Sequence, residues 1–303
     1  MSKKKGFFLP VFLCVLLVYT TYVLLDTFVI VRRISAAAEV INTSDYSLPV
    51  VSADIAESTT PVLTENSYTG NGISISISEE RIGDTTVYVA DVQLSSADSL
   101  KTAFAENSYG RNITDTTSSI AESVNAVLAI NGDYYGVQQS GYVIRNGVLY
   151  RSKAKKGAED LVIYRDGSFA IIQESEITAQ ELMENGAWNV LSFGPALIED
   201  GEISVSVNDE VGRAKADNPR TAIAVIDGLH YLFVVSDGRT SESQGLSLYE
   251  LASYLQTKGA QTAYNLDGGG SSTMVFNGEV VNNPTSGGER IKERSVSDIV
   301  YIG

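Results

Sequence analysis

The chain reads as an α+β protein: a mixed, largely antiparallel sheet with helices packed on it, forming a single domain from about residue 70 to residue 303. Three observations predict this. Apolar residues alternate with serines from Gly72 onward, three Asn-Gly or Asp-Gly pairs stand between apolar runs, and three Ser/Thr-x-x-Glu patterns open helical stretches. With 303 residues and 44% hydrophobic content, the chain has the material for a substantial core.

Taken in order, Lys3, Lys4 and Lys5 precede a nearly continuous apolar run from Gly6 to Val31, interrupted by Pro10 and Asp26. That run is long enough to cross a bilayer and longer than the apolar part of a cleaved signal peptide. Residues 1–34 are therefore expected to be a short cytoplasmic tail and an uncleaved signal anchor; Ala36-Ala37-Ala38 marks where cleavage would fall instead. The lysines favour an amino terminus inside the cell, which makes this a single-pass cell-membrane protein with an extracytoplasmic carboxy-terminal domain. Residues 35–69, rich in Ser, Thr, Ala and acids, read as a spacer. Ile73, Ile75 and Ile77 alternate with serines in a strand, and Thr86 to Val92 forms another. Hairpins are expected at Asn146-Gly147, Asp166-Gly167 and Asp227-Gly228. Helices are expected after capping boxes at Ser119 with Glu122, Thr178 with Glu181, and Ser247 with Glu250. Ile177 and Leu182 form a hydrophobic staple on the second, while Leu248, Leu251 and Leu255 make the apolar face of the third, which Gly259 ends.

Charge narrows the function classes. The anchor holds five of the 22 basic and one of the 37 acidic residues, leaving 17 against 36 outside it. Such a domain repels nucleic acid, and no basic run offers a local exception. Cys14, the one cysteine, lies in the anchor, so the outer domain has neither disulfide nor thiol chemistry.

Four segments share one layout, an apolar strand meeting a polar end that usually contains glycine. Ala126 to Ile130 runs into Asn131-Gly132-Asp133-Tyr134-Tyr135-Gly136, Tyr231 to Val235 into Ser236-Asp237-Gly238-Arg239, and Ala263 to Leu266 into Asp267-Gly268-Gly269-Gly270-Ser271-Ser272. Asn218-Pro219-Arg220-Thr221 precedes the strand Ala222 to Ile226. If these strands are neighbours, one cleft gathers Asp133, Asp237, Asp267, Arg220 and Arg239. Each segment taken alone is an ordinary turn; their joint pattern indicates a site. Asn131, Tyr134 and Thr221 at the same ends are candidate substrate contacts.

These residues resemble the phosphodiester glycosidase family. NGDYYG, NPRTAIAV, the SDGR end and LDGGGSSTMVFNGEVVNNPTSGGERIKERSVSDIV carry the resemblance, which covers most of residues 126 to 303. Its most specific part is the DGGGSS segment with the R-x-x-x-R-x-V tail. The resemblance implies hydrolysis of a sugar 1-phosphodiester, releasing the sugar and a phosphomonoester, on a cell-surface glycan or its precursor.

That chemistry agrees with the residue types. Glycosidic cleavage usually needs two carboxylates, and Asp267 with Asp133 or Asp237 could supply them. A phosphate-ester leaving group departs as a stable anion, so cationic contacts matter more than acid assistance. Arg220, Arg239 and Arg294 offer two-pronged contacts, Gly268, Gly269 and Gly270 let amides approach the phosphate, and Ser271 and Ser272 add hydroxyls. Arg220 and Arg294 are alternatively ordinary salt-bridge partners, and Tyr134 and Tyr135 are either core aromatics or a platform for a sugar ring. His230, the sole histidine, falls inside a strand, which disfavours a serine triad. Zinc has too few ligands. An oxygen-ligated cation, Ca2+ or Mg2+, on Asp133, Asp237 and Asp267 is a rival use of the same carboxylates. Two further readings therefore stand beside the glycosidase: a non-catalytic glycan-binding surface module and a divalent-metal phosphodiesterase.

Overall fold

The computed structural model describes residues 8–33, 60–209, 217–286 and 290–303. The tail residues 1–7 and most of the stretch read as a spacer lie outside the described residues. The sheet begins inside that stretch, with strands Val62–Leu63 and Ser67–Gly70.

Helix α1, Phe8–Phe28, is exposed and apolar, and by length and composition it can cross a membrane. Beyond it the described chain is sheet-rich, and every strand pairing is antiparallel. A nine-stranded sheet runs in the order 202–203, 196–199, 262–265, 220–227, 230–236, 85–94, 73–82, 67–70, 62–63. Two five-stranded sheets adjoin it, one ordered 148–151, 143–145, 187–191, 159–164, 169–173 and the other 279–280, 274–276, 128–131, 298–302, 100–104.

Strand side chains point alternately to opposite faces, and that alternation sorts the core. Ile73, Ile75, Ala90, Val92, Ile223 and Phe233 face inward, where they meet Leu128, Ile130 and Val300 of one small sheet and Leu161 and Leu191 of the other. The opposite faces are closed by helices. Helix α4, Leu248–Thr257, lays Leu248, Leu251 and Leu255 on Ala222, Leu232 and Val234. Helix α3, Ala179–Glu184, sets Leu182 and Met183 on Ile144, Val162 and Val190, and α2, Thr117–Ser123, sets Ile120 on Ala129, Val275 and Ile299.

The Asn-Gly and Asp-Gly hairpins form at 146–147, 166–167 and 227–228. Capping boxes close on Thr178 with Glu181 and on Ser247 with Glu250, and Ile177 packs in the cluster that holds Leu182. The first helix differs from expectation. Its N-cap is Thr116, whose hydroxyl accepts from the Ser119 amide, so Ser119 lies inside the helix and forms no box with Glu122. A box requires its first residue to be extended rather than helical, and Thr116, with φ −68° and ψ 151°, is the extended residue. His230 pairs with Asp91 across neighbouring strands at 2.9 Å, consistent with a strand residue.

Candidate functional site

Three of the four strand ends belong to the nine-stranded sheet. Arg220 at the start of one strand pairs with Ser236 at the end of its neighbour, and Asn265 ends the strand on the other side opposite Ala222. The fourth end, Asn131, comes from a small sheet, and its side chain joins the two sheets. Asn131 Nδ2 donates to the Asp267 carbonyl at 2.6 Å, while Oδ1 accepts from Thr221 Oγ1 at 2.8 Å and from the Thr273 amide at 3.2 Å. Asn131 and Thr221 are thus buried connectors beneath the cleft.

The structure separates the three aspartates. Asp133 is fully buried; its Oδ1 accepts from the Tyr135 amide at 3.0 Å and its Oδ2 from the Ser192 amide at 2.7 Å. The same Oδ2 lies 2.8 Å from Arg145 Nη2, which reaches Asp298 Oδ2 at the same distance. Arg145 is itself buried; burial opposes its charge, and Asp133 and Asp298 more than offset that, holding the guanidinium above its ordinary pKa. Asp298 is held above the carboxylate range, first by burial and then by Asp133, with Arg145 opposing. Asp237 Oδ1 accepts from the Asn283 amide at 2.8 Å and from Asn282 Nδ2 at 3.2 Å, and Asn283 Nδ2 reaches Oδ2 at 3.1 Å. Burial, then the charge of Asp237, pushes the neighbouring Tyr88 hydroxyl up to about 12.

Asp267 is placed differently. It is 8% exposed, its Oδ2 accepts from Ser271 Oγ at 2.6 Å, and Arg294 Nη2 stands 3.0 Å from the same oxygen. Burial raises its carboxyl above the ordinary value, with Arg294 and Ser271 pulling the other way. Arg294 also donates through Nε to Ser271 Oγ at 3.0 Å, while its side chain remains 44% exposed. Arg239 is the second cation of this corner: burial, then the charge of Arg294, lowers its pKa, and Asn218 Oδ1 accepts from its Nη2 at 3.1 Å. Arg220 is buried, with Nε donating to the Leu246 carbonyl at 2.8 Å.

The glycine run turns into a short 3-10 segment, Gly269–Ser271. Gly269 has φ +63°, and a β-carbon there would come 2.6 Å from Arg239 Nη2, so this glycine makes room for the guanidinium. The amides of Gly268, Gly269 and Gly270 are the ones expected to approach a phosphate. That of Gly269 donates to the Pro219 carbonyl at 2.8 Å, and those of Ser271 and Ser272 donate to the Gly268 and Gly269 carbonyls at 3.3 and 3.2 Å. Ser271 and Ser272 are both buried, Ser271 bridging Asp267 and Arg294. Gly268 and Gly270 flank this turn. Tyr134 adopts left-handed φ +69° and is 40% exposed, whereas Tyr135 is 2% exposed in an aromatic cluster with Phe104, Tyr109 and Tyr150. Of the two tyrosines, Tyr134 is the one exposed to solvent.

Among the described residues, no group of three or more Asp, Glu, His or Cys side chains is arranged to hold a metal ion. The Ca2+ or Mg2+ site envisaged on Asp133, Asp237 and Asp267 is therefore not assembled. Asp133 and Asp237 are instead engaged by backbone and side-chain N–H donors, and Asp267 by the Ser271 hydroxyl and Arg294.

Arg145, Asp298, Asn218, Asn282 and Asn283 were not among the sequence-derived candidates. Nor was Asp160, fully buried beside Glu174 and Ser192. Burial, then Glu174, pushes Asp160 up to about 9. Its folded pKa lies above the unfolded 3.8, so the folded state binds the extra proton and stability falls as pH rises from 3.8 to about 9. Asp160→Asn mimics the protonated acid and is expected to flatten this slope, read as denaturation midpoints at acid and alkaline pH. An unchanged slope would assign the pH dependence to other groups.

A buried carboxylate at a strand end, touched by a half-exposed guanidinium with a second one alongside, defines a site suited to an anionic ligand. Residues 124–303, more than half of the chain, match the phosphodiester glycosidase family model, and the chain belongs to that family. It is 31% identical over 189 residues to the SPbeta prophage-derived uncharacterized protein YomE of Bacillus subtilis, covering 60% of this chain and 29% of that protein. It is 27% identical over 172 residues to N-acetylglucosamine-1-phosphodiester alpha-N-acetylglucosaminidase of Mus musculus, covering 52% of this chain and 33% of that enzyme. The chain thus spans about a third of the length of these curated relatives. The fold is that of the zebrafish N-acetylglucosamine-1-phosphodiester alpha-N-acetylglucosaminidase catalytic domain, in a structure described as auto-inhibited by pro-peptide. The TM-score is 0.60 at 22% identity, over 76% of this chain and 82% of that one.

Proposed function

We propose that the chain is a membrane-anchored, extracytoplasmic phosphodiester glycosidase that hydrolyses a sugar 1-phosphodiester in a cell-surface glycan or its precursor. The observation that carries this reading is the Asp267–Ser271–Arg294 contact with Arg239 alongside, inside the family-matched region. Asp267 is the reacting carboxylate, directed at the anomeric carbon or at the water that attacks it. Arg294 and Arg239 take up the charge that develops as the phosphate ester leaves, and a preorganised guanidinium does so with little rearrangement. Asp133, Asp237, Asn131, Thr221 and Arg220 position the strand ends, and Tyr134 offers its exposed face to a sugar.

Hydrolysis in heavy-oxygen water tests the bond that breaks. Label is expected on the sugar's anomeric hydroxyl; label on phosphate would identify a phosphodiesterase, and absence of turnover a glycan-binding module. Arg294→Lys keeps the charge and loses the fork. It is expected to cost one charge-assisted hydrogen bond, about 1.5–3 kcal/mol, or roughly ten- to a hundredfold in kcat/KM on the phosphodiester. A neutral aryl glycoside should be affected far less, and equal losses on both would make Arg294 a structural ion-pair partner.

A further inference from the structure

The end of the anchor is seated on the same segment that supports both walls of the site. Arg32 and Arg33, a few residues beyond α1, pair antiparallel with Arg111 and Gly110, and Arg33 Nη2 lies 2.7 Å from Glu106 Oε2. Asn112 Nδ2 donates to the Ile30 carbonyl at 3.1 Å, while the Asn112 amide donates to the Gly136 carbonyl at 3.4 Å. Gly136 belongs to the loop that carries Asp133 and Tyr134. On the other side, Asp115 and Val296 exchange backbone hydrogen bonds of 3.0 and 2.8 Å, which ties in the strand segment that carries Arg294.

Three residues separate Phe28 from Arg32, a reach of about 10 Å from the end of the hydrocarbon-spanning helix. At that level lies a rim with the composition of a membrane interface. Tyr134 and Val137 are exposed at 40% and 39%. Beside them runs Arg151-Ser152-Lys153-Ala154-Lys155-Lys156, four basic residues in six, with all three lysines exposed. This short basic run corrects the expectation that the domain has no local basic run. It is fixed to the rim: Arg151 Nη1 donates to the Tyr135 and Gln138 carbonyls at 3.2 and 2.8 Å, and Lys155 Nζ reaches Gln138 Oε1 at 2.9 Å. In so acidic a domain, cations gathered beside exposed Tyr and Val at the bilayer end of the anchor match anionic headgroups.

From this arrangement we infer that the mouth of the site lies against the membrane surface and that the substrate is lipid-linked: a glycosyl phosphate whose second ester is a long-chain lipid alcohol. The inference rests on the anchor and glycosidase readings given above. In the reaction water supplies a hydroxyl to the anomeric carbon, the bond from that carbon to the phosphate oxygen breaks with its electron pair going to that oxygen, and the remaining water proton passes to the phosphate or to solvent; a lipid phosphomonoester stays in the bilayer while the free sugar departs. Confining enzyme and substrate to one surface raises their effective concentration, on the order of a hundredfold.

Placement is read without catalysis. In a Cys14→Ser background, full-length protein is reconstituted in phosphatidylcholine/phosphatidylglycerol vesicles doped with headgroup spin label, with bimane at Val137→Cys or, at the far end of the sheet, at Asp227→Cys. Quenching is expected at 137 and not at 227; equal signals at the two positions would overturn the placement. Turnover of an embedded long-chain glycosyl phosphodiester is then compared with that of a short-chain soluble analogue. Lys153→Glu, Lys155→Glu and Lys156→Glu, made together, should lower the embedded rate on the order of tenfold and spare the soluble one. Wild-type rates equal on the two substrates would overturn the lipid-linked assignment. Quenching at 137 with neither substrate cleaved would instead overturn the glycosidase reading, and with it the substrate, while leaving the placement standing.

Discussion

Asp267→Asn is expected to leave the fold intact and to remove turnover by about 10²–10⁴-fold, the range associated with loss of a positioned acid or base. The amide is close in size and can still accept from Ser271 Oγ, which now approaches Asp267 Oδ2 at 2.6 Å. What it cannot do is take a proton or form a bond to carbon. Melting temperature and kcat measured on the same preparation decide the point. A variant with near-normal turnover would reduce Asp267 to a loop cap, a role Asn fills as well.

The largest stability effect is expected at Arg145, which lies far from solvent between two carboxylates. Arg145→Met keeps much of the volume and leaves Asp133 and Asp298 facing each other without their shared cation. Removing one partner of a buried ion pair costs about 3–5 kcal/mol, a large share of a typical domain's stability. Denaturant titration would register this, and adding Asp298→Asn should restore part of the loss by removing one uncompensated charge. A loss below about 1 kcal/mol would mean that both acids are neutral in the native state.

Local chemistry was legible in the sequence because its causes are local. An Asn-Gly pair at 146–147 specifies its hairpin within four residues, and Thr178 finds Glu181 within one helical turn. The same pattern matched Ser119 one turn out of phase, since spacing alone does not say which residue is extended. That Asp267 and Arg239 approach one another could be anticipated because each follows an apolar strand, whereas Arg294 entered through the R-x-x-x-R-x-V tail of the family resemblance. Arg145 could not: it reads as an ordinary hairpin residue, and its partner Asp298 is 153 positions away. The division of the described strands into three large sheets and one two-stranded sheet, with Asn131 as the joint between two of the large ones, likewise depends on long-range pairings that leave no short-range mark. The glycine run shows a third kind of gap. Its composition announced bare amides, but only the folded loop reveals that several of them are already engaged.

The two ends of the nine-stranded sheet differ, and the difference bears on what the molecule can become. At one end stand Arg220, Asp237 and Asp267. At the other the chain reverses tightly at Asn71-Gly72, Asp166-Gly167, Asp200-Gly201 and Asp227-Gly228, stitched together by bonds such as Ser95 to Gly72 and Tyr231 to Gly167. None of the residues proposed to act on the substrate lies in those reversals, so a tag, a longer loop or a second module grafted there is expected to leave the carboxylate at the other end undisturbed.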